Sequence, residues 1–302
     1  MSTSSIGFGY EIALVMPNSV MSTSTNSSQK TSRAVAANAD YLHNLFEAAV
    51  RVLFPPRCAG CGLWCNELFC DACSNNLKIL VPPLCALCGQ PFDARAQVLN
   101  SSVCADCRAN RCHSAPPLHA LRSPLEYSGA IREAIHAFKY RGKTARAPQL
   151  AVLLHKYLIC AQPAQVIPLE KLKLIIPVPL HGWRQWRRGY NQSTLLAREL
   201  SKQLLILEKL SVPMAEVLRR IRHTTPQIEL HERERAANIK GAFALDDAAW
   251  AEYSTLSADD TVLLLDDVTT TGATLFECAQ VLTRQTNLKS NQIFALTLAR
   301  AI

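Results

Sequence analysis

The sequence predicts an α/β protein, with an open, mainly parallel sheet flanked by helices and a cysteine-rich metal module in front of it. Three observations carry that expectation. Four Cys-x2-Cys pairs crowd into residues 58–107. From residue 116, short apolar runs alternate with segments of helical period. One of those runs, Val262–Leu265, ends in Asp266-Asp267 and a turn rich in hydroxyls with one glycine.

The chain has 302 residues, of which 49% are hydrophobic and 19% charged, so a sizeable core is available and wholesale disorder is excluded. No apolar run approaches the ~20 residues of a membrane-spanning helix, and no integral membrane segment is expected. The net charge of +8 is uneven: residues 1–44 sum to zero, 45–115 to +1 and 116–302 to +7. Residues 181–240 alone hold 12 Lys or Arg against 6 Asp or Glu. Ten of the 12 cysteines fall between Cys58 and Cys112.

Residues 1–34 contain 13 Ser or Thr and only Lys30 and Arg33 as cations, the profile of a disordered leader over 1–40. No basic residue precedes the apolar stretch Ile12–Met16, which argues against a secretion signal, and the segment is too poor in arginine for a mitochondrial presequence. A cytoplasmic location is the expectation. Met16 and Met21 leave a downstream start open. Leu42, Leu45, Phe46, Ala49, Val50 and Leu53 recur at three and four, predicting a short helix at the head of a module spanning 41–115.

In that module the pairs are Cys58/Cys61, Cys70/Cys73, Cys85/Cys88 and Cys104/Cys107. Each places two thiolates on one side of a tight knuckle, and two knuckles close a tetrahedral Zn–S4 site. Eight ligands imply two zinc ions, structural because no position is left open for chemistry. Sequential pairing and a cross-braced arrangement both fit the spacing. A disulfide scaffold is disfavoured without a secretion signal. Cys65, Cys112 and His113 are extra, read as small buried residues before substitute ligands. The module's charge of +1 gives little support for a purely electrostatic grip on DNA.

Residues 116–302 form the α/β domain. Strands are expected at Leu118–Leu121, Leu125–Tyr127, Leu172–Ile176, Thr261–Leu265 and Gln292–Leu298. Helices are expected at Gly129–Phe138, Asn191–Leu207 and Leu275–Leu282. The segment Val262 to Thr274 decides the site. A strand ends in Asp266 and Asp267, and Val268-Thr269-Thr270-Thr271-Gly272-Ala273-Thr274 then turns into a helix. Backbone N–H groups at a helix start, with Thr hydroxyls, make a phosphate cradle. Paired carboxylates beside such a cradle suit a sugar's vicinal hydroxyls or a Mg²⁺-bound sugar phosphate. Neither the GxGxxG fingerprint nor a Walker lysine is present.

That segment resembles the ribose-phosphate signature of type I phosphoribosyltransferases. The resemblance implies that the Thr269–Thr274 loop binds the 5′-phosphate of phosphoribosyl pyrophosphate (PRPP), with Mg²⁺, and that Asp266 and Asp267 contact the ribose hydroxyls. Further motifs follow in order: Tyr127, Lys139-Tyr140-Arg141-Gly142, Pro177-Val178-Pro179-Leu180, Arg187-Arg188-Gly189-Tyr190-Asn191-Gln192, then Arg219, Thr224, Gln227, Leu230, Arg233, Arg235, Asn238 and Gly241-Ala242-Phe243. With the four Cys-x2-Cys pairs, residues 50–302 resemble the ComF family, double zinc-ribbon proteins of phosphoribosyltransferase-like fold linked to competence and the use of imported DNA. Residues 284–291 lack the glycine expected in that turn.

The resemblance implies roles. Pro177, Val178 and Pro179 carry the pyrophosphate-facing loop, with Arg187, Arg188, Gly189, Asn191 and Gln192 beside it. Arg188, Lys139, Asp266 and Asp267 are the catalytic candidates, Lys139 and Arg141 closing over the anion. Residues 219–238 have the charge of a mobile hood or of a solvated helical face. Trp183, Trp186 and Tyr190 interleave with Arg184, Arg187 and Arg188, which also describes a single-stranded DNA platform. Three readings stay open: phosphoribosyl transfer to a nitrogen acceptor, PRPP or nucleotide sensing without turnover, and DNA binding. DNA-uptake or recombination proteins are the implied partners.

Overall fold

The computed structural model describes residues 56–92, 102–109, 116–160, 167–180, 186, 188–222 and 239–302. The leader, the helix expected at 41–53, Arg187, Cys112 and His113, and the greater part of the 219–238 segment lie outside these residues.

The sheet is built from β1 (Ala120–Arg122), β2 (Leu125–Glu126), β3 (Leu172–Pro177), β6 (Thr261–Thr269) and β7 (Ile293–Arg300). All of its pairings are parallel. The order is β1-β7-β6-β3, with β2 continuing β1 along the same edge of β7. Beyond β3, Met214 forms a parallel bridge to Ile175. β7 is buried at every position, as a central strand covered on both faces must be.

Side chains alternate between faces along these strands. Ile175, Leu263, Leu265 and Phe294 face α3 (Gly129–Tyr140), α4 (Ala147–Cys160) and α5 (Gln192–Glu208), where Ile131, Phe138, Leu150, Leu154, Leu196 and Leu200 complete a core. Leu174, Ile176, Val262 and Leu264 face the other way, onto Leu275, Cys278 and Leu282 of α7 (Ala273–Gln285). That face is closed by an antiparallel pair, β4 (Leu218–Arg220) with β5 (Phe243–Leu245), and by Trp250 at the end of the short helix α6 (Asp247–Trp250).

The mainly parallel α/β architecture is the one expected; β4, β5 and α6 are additions to it, β7 runs on to Arg300, and there are two further differences. The strand expected to stop at Leu265 runs to Thr269, because β7 is long enough to pair with it that far: Asp266 lies opposite Thr297 and Thr269 opposite Arg300. α4 was not foreseen. Its buried residues include His155 beside Leu150, Ala151, Leu154 and Leu158, which blurs the apolar stripe. The turn without a glycine after α7 is closed by Thr286, whose hydroxyl donates to Leu282 O at 2.6 Å and accepts from Leu288 N at 3.1 Å.

The cysteine module lies against this domain. α1 (Asp71–Asn75) and α2 (Ala105–Ala109) follow Cys70 and Cys104. Cys58, Ala59, Leu68 and Phe69 join the core beneath α3. Gly60 sits so close to α3 that a β-carbon there would lie 2.6 Å from Ala130 Cβ. The Cys85–Cys88 knuckle meets the sheet edge, where Leu121 N donates to Leu87 O at 2.7 Å. Arg57–Ile302 is thus one compact unit. No helix among the described residues is long and apolar enough to cross a membrane.

Candidate functional site

β3 and β6 are adjacent and parallel, yet the helices that follow them leave to opposite faces, α5 to one and α7 to the other. Such a divergence opens a crevice at the carboxyl ends of the two strands, the usual ligand position in open α/β sheets. Pro177, Val178, Asn191, Asp266 and Asp267 gather there. Pro177 ends β3 opposite Leu265, and Val178 N donates to Leu265 O at 2.9 Å. Asn191 caps α5: its Oδ1 accepts from Ser193 N at 3.1 Å while its Nδ2 donates to Val178 O at 3.0 Å. One side chain thereby fixes both the helix start and the loop after β3.

Asp266 and Asp267 occupy successive strand positions and diverge. Asp267 is 5% exposed and its Oδ1 lies 2.8 Å from Lys139 Nζ of α3. Asp266 is half-buried; its Oδ1 accepts from Ser193 Oγ at 2.7 Å and from Asp267 N at 2.9 Å. Burial, then the neighbouring Asp267 carboxylate, pushes the Asp266 carboxyl up to about 7, against the pull of Ser193 and Lys139. Burial works against charge on Lys139, but Asp267 outweighs it and holds the ammonium above its ordinary range. Lys139, expected to close over an anion, is engaged here by Asp267.

The turn is Thr270-Thr271-Gly272, with α7 starting at Ala273. Gly272 has φ +85°, and a β-carbon would lie 2.9 Å from Phe276 Cε2 and 3.0 Å from Leu121 Cδ2. Only glycine fits this backbone and this space. Thr271 Oγ1 accepts from Ala273 N at 3.3 Å. Thr269, Thr270, Thr271 and Thr274 thus lie around the start of a 13-residue helix whose first N–H groups lack intrahelical acceptors.

At the other rim, Arg188 stacks on Tyr140, with its guanidinium carbon 4.7 Å from the ring centroid, and donates to Gln192 Oε1 at 3.1 Å. Gly189 follows with φ +80°, and the Tyr190 hydroxyl donates to Phe138 O. Trp186 is 82% exposed. Sequence reasoning missed Ser193 as the partner of Asp266; its position two residues past an Asn cap was the available signal. The metal module also reaches residues of the sheet that the sequence did not single out: Arg122 Nη1 donates to Ala86 O at 3.0 Å and Arg300 Nη1 to Cys88 O at 2.7 Å.

The eight predicted cysteines form two clusters, Cys58/Cys61/Cys70/Cys73 and Cys85/Cys88/Cys104/Cys107, with each set of sulfurs mutually within 4.8 Å. This is the sequential pairing. Cys61 Sγ and Cys70 Sγ are 3.7 Å apart, as are Cys88 Sγ and Cys104 Sγ. A tetrahedron with Zn–S of about 2.3 Å has edges of about 3.8 Å, so both sets fit zinc and neither is a pair of disulfides. In the second cluster, Cys88 N and Cys104 N direct their hydrogens to Cys85 Sγ at 3.5 and 3.3 Å. Cys65 is half-buried against the core and belongs to neither set.

Two four-cysteine clusters set against a mainly parallel sheet define a double-zinc-ribbon α/β protein. The family model described as Double zinc ribbon domain matches residues 49–108. The chain is 36% identical over 165 residues to Competence protein F of Haemophilus influenzae, covering 55% of this chain and 66% of that protein. It is 31% identical over 201 residues to DNA utilization protein YhgH of Salmonella typhi, covering 63% and 82%. It is 27% identical over 233 residues to Competence protein ComFC of Bacillus subtilis, covering 76% and 84%. The chain belongs to the ComF family.

Proposed function

We propose that this is a phosphoribosyltransferase-like protein that binds PRPP or a related ribose phosphate with Mg²⁺, in the service of DNA uptake or the use of imported DNA. The observation that carries the binding reading is the juxtaposition of Asp266 and Asp267 with the Thr269–Thr274 turn at the divergence of β3 and β6. The names of the relatives, competence and DNA utilization proteins, support the biological setting.

In this reading the turn and the α7 start hold the 5′-phosphate through backbone N–H groups and threonine hydroxyls. Asp266 and Asp267 meet the ribose hydroxyls, and they are the residues that would hold Mg²⁺. Mg²⁺, when bound, supplies charge neutralisation at a pyrophosphate. Phosphoribosyl transfer to a nitrogen acceptor would break the bond from ribose C1 to the pyrophosphate oxygen and form a C1–N bond. Negative charge then grows on the departing oxygens, and Arg188, anchored on Tyr140 and Gln192, stands at the rim to meet it. No covalent nucleophile is required.

Calorimetric titration with PRPP and Mg²⁺ tests the binding step. Saturable binding by the native chain, weakened at least about 10-fold in Asp266→Asn, is expected; absence of saturable binding by the folded native chain would sink the reading. Pyrophosphate release, screened across nitrogen bases, then separates an enzyme from a PRPP or nucleotide sensor. A second reading, single-stranded DNA binding, is favoured by the exposed Trp186 next to the Arg188–Tyr140 stack.

A further inference from the structure

Arg122 of β1 and Arg300 of β7 are 6% and 3% exposed. Among the described residues no carboxylate pairs with either; the ion pairs there are Lys78–Glu126, Lys139–Asp267, His155–Glu208, Lys202–Glu199 and Arg219–Asp246. A buried cation without a counter-charge is strongly destabilising. Both guanidiniums instead converge on one object. Arg300 Nη1 donates to Cys88 O at 2.7 Å. Arg122 Nη1 donates to its neighbour Leu121 O at 2.9 Å and reaches beyond it to Ala86 O at 3.0 Å and Cys85 O at 3.4 Å. The carbonyls of Cys85, Ala86 and Cys88 belong to one knuckle.

The second cysteine cluster has the opposite deficit. Four thiolates around one divalent zinc leave a net charge of −2. Cys85, Cys88 and Cys104 are 0%, 4% and 6% exposed and only Cys107 is half-buried, so water is poorly placed to compensate it. The first cluster differs: only Cys58 is buried, Cys61 is exposed and Cys70 and Cys73 are half-buried, so solvent reaches more of that cluster than of the second.

We propose that Arg122 and Arg300 are the counter-cations of the second zinc centre, two positive charges of the sheet that balance its −2. The ribbon supplies the four ligands, and the α/β domain supplies the charge that lets them hold a metal while buried. Each arginine also pins a knuckle carbonyl, which orients the backbone that carries the ligands. Zinc affinity at the second cluster is therefore a property of the docked chain, and this inference stands whatever ligand the crevice takes.

The test is zinc release from the full-length chain to an excess of the chelating dye 4-(2-pyridylazo)resorcinol. Cys58→Ser, which removes the first-cluster zinc, identifies the phase belonging to the second. In Arg122→Met and in Arg300→Met the second-cluster zinc is expected to leave at least about 10-fold faster, with the first-cluster zinc unchanged. Arg122→Lys and Arg300→Lys, which keep the charge, should recover most of the native rate. Unchanged release in the Met variants overturns the proposal, and so does equal acceleration of both zincs, which would assign the arginines to the fold alone. If the Met variants do not fold, Arg300→Gln against Arg300→Lys decides, and identical second-cluster rates overturn it.

Discussion

Lys139 Nζ lies 2.8 Å from Asp267 Oδ1, with the carboxylate side chain 7% and the lysine 20% exposed. The pair joins α3 to the central strand β6 at the point where the candidate crevice opens. Since α3 also carries Ala130 against the first knuckle at Gly60, one helix touches a zinc ribbon at its start and the acidic pair at its end.

Removing one partner of this pair leaves the other buried and uncompensated. Lys139→Met is expected to destabilise the fold by about 3–5 kcal/mol, and Lys139→Met with Asp267→Asn by much less than the sum of the two single changes. Urea denaturation of the four proteins measures the coupling. The pH dependence follows from the direction of the lysine shift. A folded value above the unfolded one means the contribution is intact below the ordinary value of 10.5 and is lost as pH rises through the raised one. The native chain should therefore lose more stability than Lys139→Met above pH 10.5.

Asp266 has the same slope against pH for the opposite reason, since here burial disfavours the charged form. Its carboxyl is pushed from 3.8 up to about 7, so the folded chain binds this proton more readily than the unfolded chain. Between those values stability falls as pH rises, and above about 7 the full penalty remains. Asp266→Asn, which keeps the Ser193 contact but carries no charge, should thus gain stability over the native chain at pH 8 and differ little at pH 4. Denaturation midpoints at the two pH values check it; a gain of equal size at both would be against it.

The outline of this arrangement was legible in local sequence. An apolar run ending in two acids and a glycine turn has few structural solutions, so β6, the turn and α7 could be read directly from residues 262–282. The cysteine spacing specified the knuckles but not their partners, since pairing is decided by the path between Cys73 and Cys85 and not by the Cys-x2-Cys units. Long-range partners were illegible for the same reason. Nothing near Lys139 announces Asp267, 128 positions away, and nothing near Arg300 announces Cys88. α4 was lost because His155 and its Glu208 partner, 2.9 Å apart, place a polar pair on a buried stripe.

Gly272 offers the sharpest probe of the turn. At φ +85° an alanine is strained, and its β-carbon would press on Phe276 and Leu121. Gly272→Ala is expected to cost about 1–3 kcal/mol of stability and to shift the Thr270–Thr271 backbone. If the turn holds a phosphate, the same change should weaken PRPP binding at least about 10-fold in calorimetry, more than its effect on stability at saturating folding conditions would account for. A folded Gly272→Ala chain that binds like the native protein would separate the turn from the ligand.

The two cysteine clusters should not respond alike to loss of a ligand. Cys61 is exposed, whereas Cys104 is 6% exposed and belongs to the cluster whose Cys85–Cys88 knuckle is held by Leu121, Arg122 and Arg300 of the sheet. Metal binding at such a site is folding free energy, because the unfolded chain has no preformed site. Elemental analysis of the native chain is expected to give two zinc ions, and of Cys61→Ser or Cys104→Ser close to one. Both variants should be less stable, and Cys104→Ser more so, by at least about 1 kcal/mol in urea, because the thiols it leaves behind are buried and the sheet edge loses what it was packed against. Arg300 of β7 bonds the Cys85–Cys88 knuckle and lies opposite Thr269 in the sheet register. Amide hydrogen exchange at Leu298–Arg300 should accordingly quicken in Cys104→Ser and not in Cys61→Ser; equal protection in both would mean that the second zinc stabilises its own ribbon and nothing beyond it.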